Sequence, residues 1–286
     1  MTTSTITLPD GRDVAFEVAG PPDGPGVLLC HAAPGSRVFD PGPVATVGAG
    51  VRLVTIDRPG TGRSDPLADG VVPTIPRFAA DAAAVLDAAG ITAVVAAGWS
   101  AGGRIAAALA AARPDLVRAL FLIATPAPDD EVPWVPEEQR AAIRMMQADP
   151  PAAVAQMAGM LAGMLEQGAD ATALVGAGAA DARVLADDGD LRARLDAMLT
   201  ESFRQGPAGL AADIVSYTVA EWGFDPASIG APTTCIYGGA DEVVPPAHGE
   251  WWASRIPEAH VEVVEGAGHL VVVPAWSGVL SALHPR

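Results

Sequence analysis

A chain of 286 residues is long enough for one large α/β domain or two small ones. Half of its residues are hydrophobic and the mean hydropathy is +0.30, yet no run approaches the roughly 18 uninterrupted apolar residues of a membrane span. A formal net charge of −17 excludes nucleic acid and anionic membrane surfaces as natural partners. All 17 basic residues are arginine, which removes Schiff-base, pyridoxal-phosphate and lysine P-loop chemistry.

The N-terminus, Met1 to Ile6, has no basic region followed by an apolar core. No secretory signal is expected there, and a cytoplasmic location is the expectation. Thr5 to Leu8 and Val14 to Val18 read as two strands joined through Pro9-Asp10-Gly11-Arg12. Val27 to His31 and Val51 to Asp57 are apolar strands, each followed by a Gly/Pro loop. A helix over Ile75 to Ala89 places Phe78, Val85 and Leu86 on one face. Ile91 to Ala97 and Ala119 to Ala124 read as further buried strands. Strands of continuous apolar character alternating with helices predict a mostly parallel sheet covered on both faces.

The strand rhythm stops near Thr125. Helical patterns follow at Glu137 to Ala148, Ala152 to Gln167, Asp190 to Arg204 and Leu210 to Glu221. Strands return at Thr233 to Gly238 and His260 to Glu265, and a last helix runs from Trp276 to Leu283. The pattern predicts a core at residues 1–127 and 229–286, with a helical cap over residues 128–228 inserted between two of its strands. The two cysteines, Cys30 and Cys235, fall on buried strands and read as small core residues. No Cys/His cluster has metal-ligand spacing.

Gly98-Trp99-Ser100-Ala101-Gly102 is a G-x-S-x-G sequence between an apolar strand and an Ala-rich helix former, Gly103 to Ala110. Strand, sharp turn and helix are the context of a nucleophile elbow. The turn predicts φ > 0 at Ser100 and a hydroxyl raised above the sheet at the positive end of the helix. A serine needs a base and an orienting acid. Asp241 follows one strand directly, in Gly238-Gly239-Ala240-Asp241, and His269 follows the last, in Glu265-Gly266-Ala267-Gly268-His269. Both would emerge at the carboxyl edge of a parallel sheet, beside Ser100. Glu242 is the rival acid, and Asp129 and Asp130 stand at another strand end. His248, His260 and His284 read as surface or structural residues. The backbone N–H groups of Ala33, in His31-Ala32-Ala33-Pro34-Gly35, and of Ala101 would hold an oxyanion. His31 is expected to brace that loop.

These pieces, with Asp57-Arg58-Pro59-Gly60-Thr61-Gly62-Arg63-Ser64, make the chain resemble the α/β-hydrolase family, in the serine-nucleophile branch with a helical cap. The family usually has glycine after the loop histidine; here it is Ala32. Serine at the elbow argues against the dehalogenase and epoxide-hydrolase relatives, whereas esterases and proline iminopeptidases carry it. The resemblance implies an eight-stranded, mostly parallel sheet flanked by helices. It also implies a cofactor-free serine hydrolase acting on a small or medium apolar ester, thioester or lactone through an acyl-enzyme. Alternative chemistries on the same fold are C–C hydrolysis, lyase or cyclase reactions, or a slow-turnover ligand receptor. Met157, Met160 and Met164 share one helical face with Leu161 and Leu165, and they either pack the cap or line the pocket. Trp99, next to the nucleophile, either packs in the core or forms a wall of the pocket. Glu131, Glu137 and Glu138 are candidates to hold a substrate amine or are simply solvated. The oligomeric state is not set by the sequence, and a homo-oligomer stays open.

Overall fold

The computed structural model describes residues 3–166 and 171–283. The first two strands, β1 (Thr3–Thr7) and β2 (Asp13–Ala19), form the expected hairpin. Its turn is closed by Leu8 N–H donating to the Arg12 carbonyl at 2.8 Å, with Gly11 at φ 87°. Then follow β3 (Gly26–Cys30), α1 (Pro43–Gly48), β4 (Arg52–Ile56), α2 (Ile75–Ala88), β5 (Val94–Trp99), α3 (Ala101–Ala112) and β6 (Val117–Ile123). The six helices α4 (Glu137–Met146), α5 (Pro150–Glu166), α6 (Ala171–Leu174), α7 (Ala182–Asp187), α8 (Leu191–Ser202) and α9 (Ala208–Thr218) come before β7 (Thr233–Gly238). The chain closes with α10 (Ala247–Arg255), β8 (His260–Val264) and α11 (Val272–Ser281). Two expected features, the end of the helix at Gln167 and His284, lie outside the described residues.

The eight strands form one sheet in the order β1-β2-β4-β3-β5-β6-β7-β8. β2 runs antiparallel to both neighbours, and every pair from β4 to β8 is parallel. This is the mostly parallel, helix-flanked sheet that the sequence predicts. Burial on both faces explains the uninterrupted apolar runs. Val94 and Ala96 of β5 join the core cluster containing α2 and α3 residues, whereas Val95, Ala97 and Trp99 join the one under α11. Leu191, Leu195, Met198 and Leu199 of α8 also belong to this second cluster, so α8 packs onto the sheet side with Phe39 and Trp99. Of the described helices, none is long and apolar enough to cross a membrane.

Two differences from the sequence reading have a clear local cause. The strand expected from Ile91 begins only at Val94, because Ile91 is used to end α2. Gly90, at φ 68°, donates to the Asp87 carbonyl, and the Ile91 N–H donates to the Leu86 carbonyl at 2.9 Å. This pair of bonds is a Schellman cap, which satisfies the last helical carbonyls. The short helices α6 and α7 lie in a stretch that shows no helical pattern, since four to six residues carry too little periodicity to register.

His248 on α10 shows how the segment after β6 is fastened. Its ring is fully buried, and its Nδ1 accepts the Ala127 N–H at 3.1 Å. Burial, and then the nearby Arg104 cation, push its pKa down to about 4 from 6.5. The unfolded chain therefore binds more protons than the folded one between pH 6.5 and 4, and stability falls as pH drops through that window. The gap corresponds to roughly 3 kcal/mol. His31, pushed well below its ordinary value by burial and the Arg58 cation, acts in the same direction. Replacing His248 by asparagine, which keeps an acceptor for Ala127, is expected to reduce the slope of the urea midpoint against pH in this window. An unchanged slope contradicts the assignment.

Candidate active site

Ser100 links β5 directly to α3 at φ 54°, ψ −125°. The positive φ expected from the sequence is present, and it costs on the order of 1–3 kcal/mol in a non-glycine residue. The neighbouring backbone holds it in place: Ser100 N–H donates to the Ile123 carbonyl at 2.8 Å. The flanking glycines are required by close approach. A Cβ on Gly98 would stand 2.3 Å from Gly103 Cα, and one on Gly102 would stand 2.2 Å from the Cys30 carbonyl oxygen.

The candidate acid and base follow the ends of β7 and β8. Asp241 and His269 are both buried, and His269 Nδ1 lies 2.8 Å from Asp241 Oδ2. Asp241 Oδ1 accepts the N–H groups of Val243 and Val244 at 2.8 and 2.9 Å, which fixes the carboxylate plane. A carboxylate can only accept, so Nδ1 carries the proton and Nε2 is left with a lone pair. The rival acid, Glu242, is exposed. Asp129 is occupied by the N–H groups of Trp134 and Val135 and by Arg140.

Two further groups hold the His269 loop, and neither was foreseen in that role. The indole Nε1–H of Trp99 donates to the His269 carbonyl at 3.0 Å. Asp181, wholly buried just before α7, accepts the N–H groups of His269 and Leu270 at 3.2 and 2.9 Å. The backbone of His269 is thereby tied both to β5 and to the segment before α7. Gly176 lies directly against the imidazole: a Cβ there would stand 2.9 Å from His269 Cδ2.

Ser100, His269, Ala33 and Ala101 all line one cavity of about 220 Å³, together with Arg104, Trp134, Leu174, Val175, Tyr217 and Val244. Among the described residues, no hydrogen-bond acceptor takes the Ala33 or the Ala101 N–H. A larger depression at Val72, Gln147 and Glu221 shares none of this lining.

The oxyanion-loop candidate is braced from beneath. Arg58 donates Nη1–H to the His31 carbonyl and Nη2–H to the Ala32 carbonyl, both at 2.7 Å. Asp213 of α9 grips the same guanidinium through two bonds of 2.7 Å. Within the loop, His31 Nδ1 is 2.8 Å from the Ala32 carbonyl oxygen. Ala32, where the family usually has glycine, is buried in the core cluster that contains Phe39 and Trp99. Replacing Asp213 by alanine would leave a buried, unpaired arginine. The expected loss is about 3–5 kcal/mol of folding stability, read from urea unfolding; a change within experimental error would show the clamp to be dispensable.

Several expected pocket residues lie elsewhere. Trp99 does not form a wall of the cavity: it continues the Val95/Ala97 face of β5 and packs on Phe39, with ring centroids 5.4 Å apart. Alternation along the strand puts it on the face of β5 that packs with α8 and α11 residues. Met157, Met160 and Met164 do not line the cavity either. Met157 packs into the seam between α5 and α9 near Leu161, Leu210 and Ala211. Met160 and Met164 are 54% and 49% exposed. The acidic residues Glu131 and Glu137 pair with Arg255 and Arg140 at the surface, Glu138 is exposed, and none of the three lines the cavity.

The likeness to known proteins agrees with this geometry. The family model described as alpha/beta hydrolase fold matches residues 25–274. Over 221 residues the chain is 34% identical to a protein from Chromobacterium violaceum named pimeloyl-[acyl-carrier protein] methyl ester esterase, covering 75% of each chain. Among solved structures, a hydrolase from Pseudomonas aeruginosa superposes with a TM-score of 0.70 at 23% identity, covering 99% of this chain and 98% of the other. A bromoperoxidase from Bacillus anthracis superposes with a TM-score of 0.71 at 20% identity, again covering 99% and 98%. The two structural likenesses establish the fold, and the match over most of the sequence establishes the family. The chain belongs to the α/β-hydrolase family of enzymes.

Proposed function

We propose that the protein is a serine hydrolase of small esters, thioesters or lactones, with Ser100 as nucleophile, His269 as base and then acid, and Asp241 as its orienter. The observation that carries this reading is that His269, paired with Asp241, lines the same cavity as the strained Ser100. In the first step His269 Nε2 takes the hydroxyl proton while Ser100 Oγ bonds to the substrate carbonyl carbon. The oxyanion is held by the Ala33 and Ala101 N–H groups. Collapse breaks the carbon–oxygen or carbon–sulfur bond, and the leaving group receives the proton from His269. Water then attacks the acyl-enzyme by the same sequence, releasing the acid and restoring Ser100.

The Chromobacterium relative is named as a methyl ester esterase, which supports ester cleavage here. The cavity of about 220 Å³ supports a small substrate. It is equivalent to about seven waters at roughly 30 Å³ each. Leu174, Val175 and Val244 give it apolar walls suited to a short carbon chain. Residues 128–228 act as a cap in this reading, since Trp134, Val175 and Tyr217 from that segment roof the nucleophile.

Stopped-flow turnover of p-nitrophenyl acetate tests the reading. A nitrophenolate burst equal to the enzyme concentration, followed by a slower steady rate, is the expected record. Tight binding of small esters with no nitrophenolate release would indicate a receptor instead.

A further inference from the structure

Among the described residues four arginines are buried: Arg12, Arg37, Arg58 and Arg104. Three of them are clamped by buried carboxylates, Arg12 by Asp81, Arg37 by Asp57 and Arg58 by Asp213. Among the described residues Arg104 has no such partner. Its Nε–H donates to the Pro126 carbonyl at 3.1 Å, but Nη1 and Nη2 are buried without any hydrogen bond. It is 1% exposed.

This is an expensive arrangement. An uncompensated buried ion costs several kcal/mol. The residue also stands in the first turn of α3, where the helix dipole disfavours a cation. Three rings offset part of the charge. The guanidinium carbon lies 4.4 Å from the Tyr217 ring centre, 5.1 Å from Trp222 and 5.7 Å from Trp134, within cation–π reach of all three. They supply no acceptor to the unbonded N–H groups. Burial lowers the pKa to about 10, so Arg104 is still a cation at neutral pH.

What the protein lacks at Arg104, the cavity provides room for. Arg104 lies four residues after Ser100, one helical turn away, and lines the same cavity as Ser100 and His269. Trp134 lines it too, and its buried indole Nε1–H has no acceptor among the described residues either. No carboxylate of the described residues lines this space. Unpaired buried donors around one cavity, at the positive end of a helix, are complementary to an anion with oxygen acceptors.

We propose that Arg104 and Trp134 form a carboxylate-binding subsite in the catalytic cavity, and that the substrate is a small ester or lactone carrying a free carboxylate a few carbons from its reacting carbonyl. The assignment rests on the hydrolase reading for the reaction at Ser100, but not for the binding of the anion. The carboxylate takes a bidentate seat on Nη1 and Nη2, the apolar walls hold the connecting methylenes, and the carbonyl reaches Ser100. The preference is for half-esters of short dicarboxylic acids over neutral esters of the same shape.

Two measurements on the wild-type protein decide the matter. The first compares kcat/KM for monomethyl glutarate with that for the methyl ester of glutaramic acid, its neutral isostere. A site that leaves buried donors unpaired when the ligand is neutral should favour the half-ester by about 10²-fold or more. The second is the thermal-unfolding midpoint with glutarate or glutaramide, and only glutarate is expected to raise it. In Arg104→Met the ratio should fall toward one and the glutarate shift should vanish; if that variant does not fold, the wild-type comparisons stand alone. Equal turnover of the two esters with no glutarate-specific shift overturns the subsite while leaving the hydrolase reading intact. A glutarate-specific shift with no turnover of either ester supports the subsite and overturns the hydrolase reading.

Discussion

Ser100→Ala is expected to lower kcat for ester hydrolysis by about 10⁴- to 10⁶-fold, because the nucleophile and its base act as a unit. His269→Ala should fall in the same range, and the double variant should be little worse than either single one. The folded state should not suffer. Ser100 is held at φ 54° by its surroundings and makes no side-chain cap bond to α3, so removing its hydroxyl leaves no partner unsatisfied. Ser100→Gly should raise stability by about 1 kcal/mol through relief of that backbone strain. A catalytically dead but equally or more stable protein separates a reacting residue from a structural one. A variant that retains more than a hundredth of the activity on p-nitrophenyl esters would remove Ser100 from the mechanism.

Asp241→Asn should cost about 10⁴-fold in kcat, by analogy with the same exchange in the serine protease triad. The local geometry gives the reason. Val243 and Val244 N–H groups converge on one oxygen of Asp241. In the variant they would pin the carboxamide oxygen to that side, leaving the NH₂ group to face His269 Nδ1. An NH₂ group donates, so the imidazole must accept at Nδ1 and carry its proton on Nε2. That tautomer cannot take the proton of Ser100. Glu242→Gln, one residue on and exposed, should leave kcat unchanged. A pH profile of both variants distinguishes the two acids: only Asp241→Asn should lose the rise in rate with deprotonation of the base. Equal effects at the two positions would contradict the assignment.

The legible parts of this chain are those whose constraint is local. The elbow announces itself because a strand, a strained turn and a helix must follow one another within a few residues, and Gly98 and Gly102 are forced by backbone contacts on either side of Ser100. The ends of β7 and β8 place Asp241 and His269 because parallel strands share one carboxyl edge. The sheet was readable for the same kind of reason, since double-sided burial writes continuous apolar runs into the central strands.

Contacts formed across long separations were not readable. Asp213 meets Arg58, and Asp181 meets the His269 backbone, from helices or turns far along the chain. Nothing near either aspartate marks it as different from an ordinary solvated acid. Helical spacing puts Met160 and Met164 on one stripe but does not say which part of a stripe a partner covers, and both are exposed. Trp99 is open to either role in sequence, because adjacency to Ser100 does not say whether the side chain meets the cavity or the core; it packs on Phe39. Arg104 did carry a local signal that went unused: a lone cation in the first turn of an Ala-rich, otherwise apolar helix is badly placed for both burial and dipole. Such a residue is costly unless a ligand answers it.

The account stands on a covalent intermediate at Ser100, and the most direct measurement is the mass of the peptide that carries this residue after rapid acid quenching of a reaction with p-nitrophenyl butyrate. The account predicts a butyryl group on the peptide spanning Ser100, formed at the rate of the nitrophenolate burst and absent from Ser100→Ala. Product formation with no acylated peptide, or acylation at another residue, would contradict it.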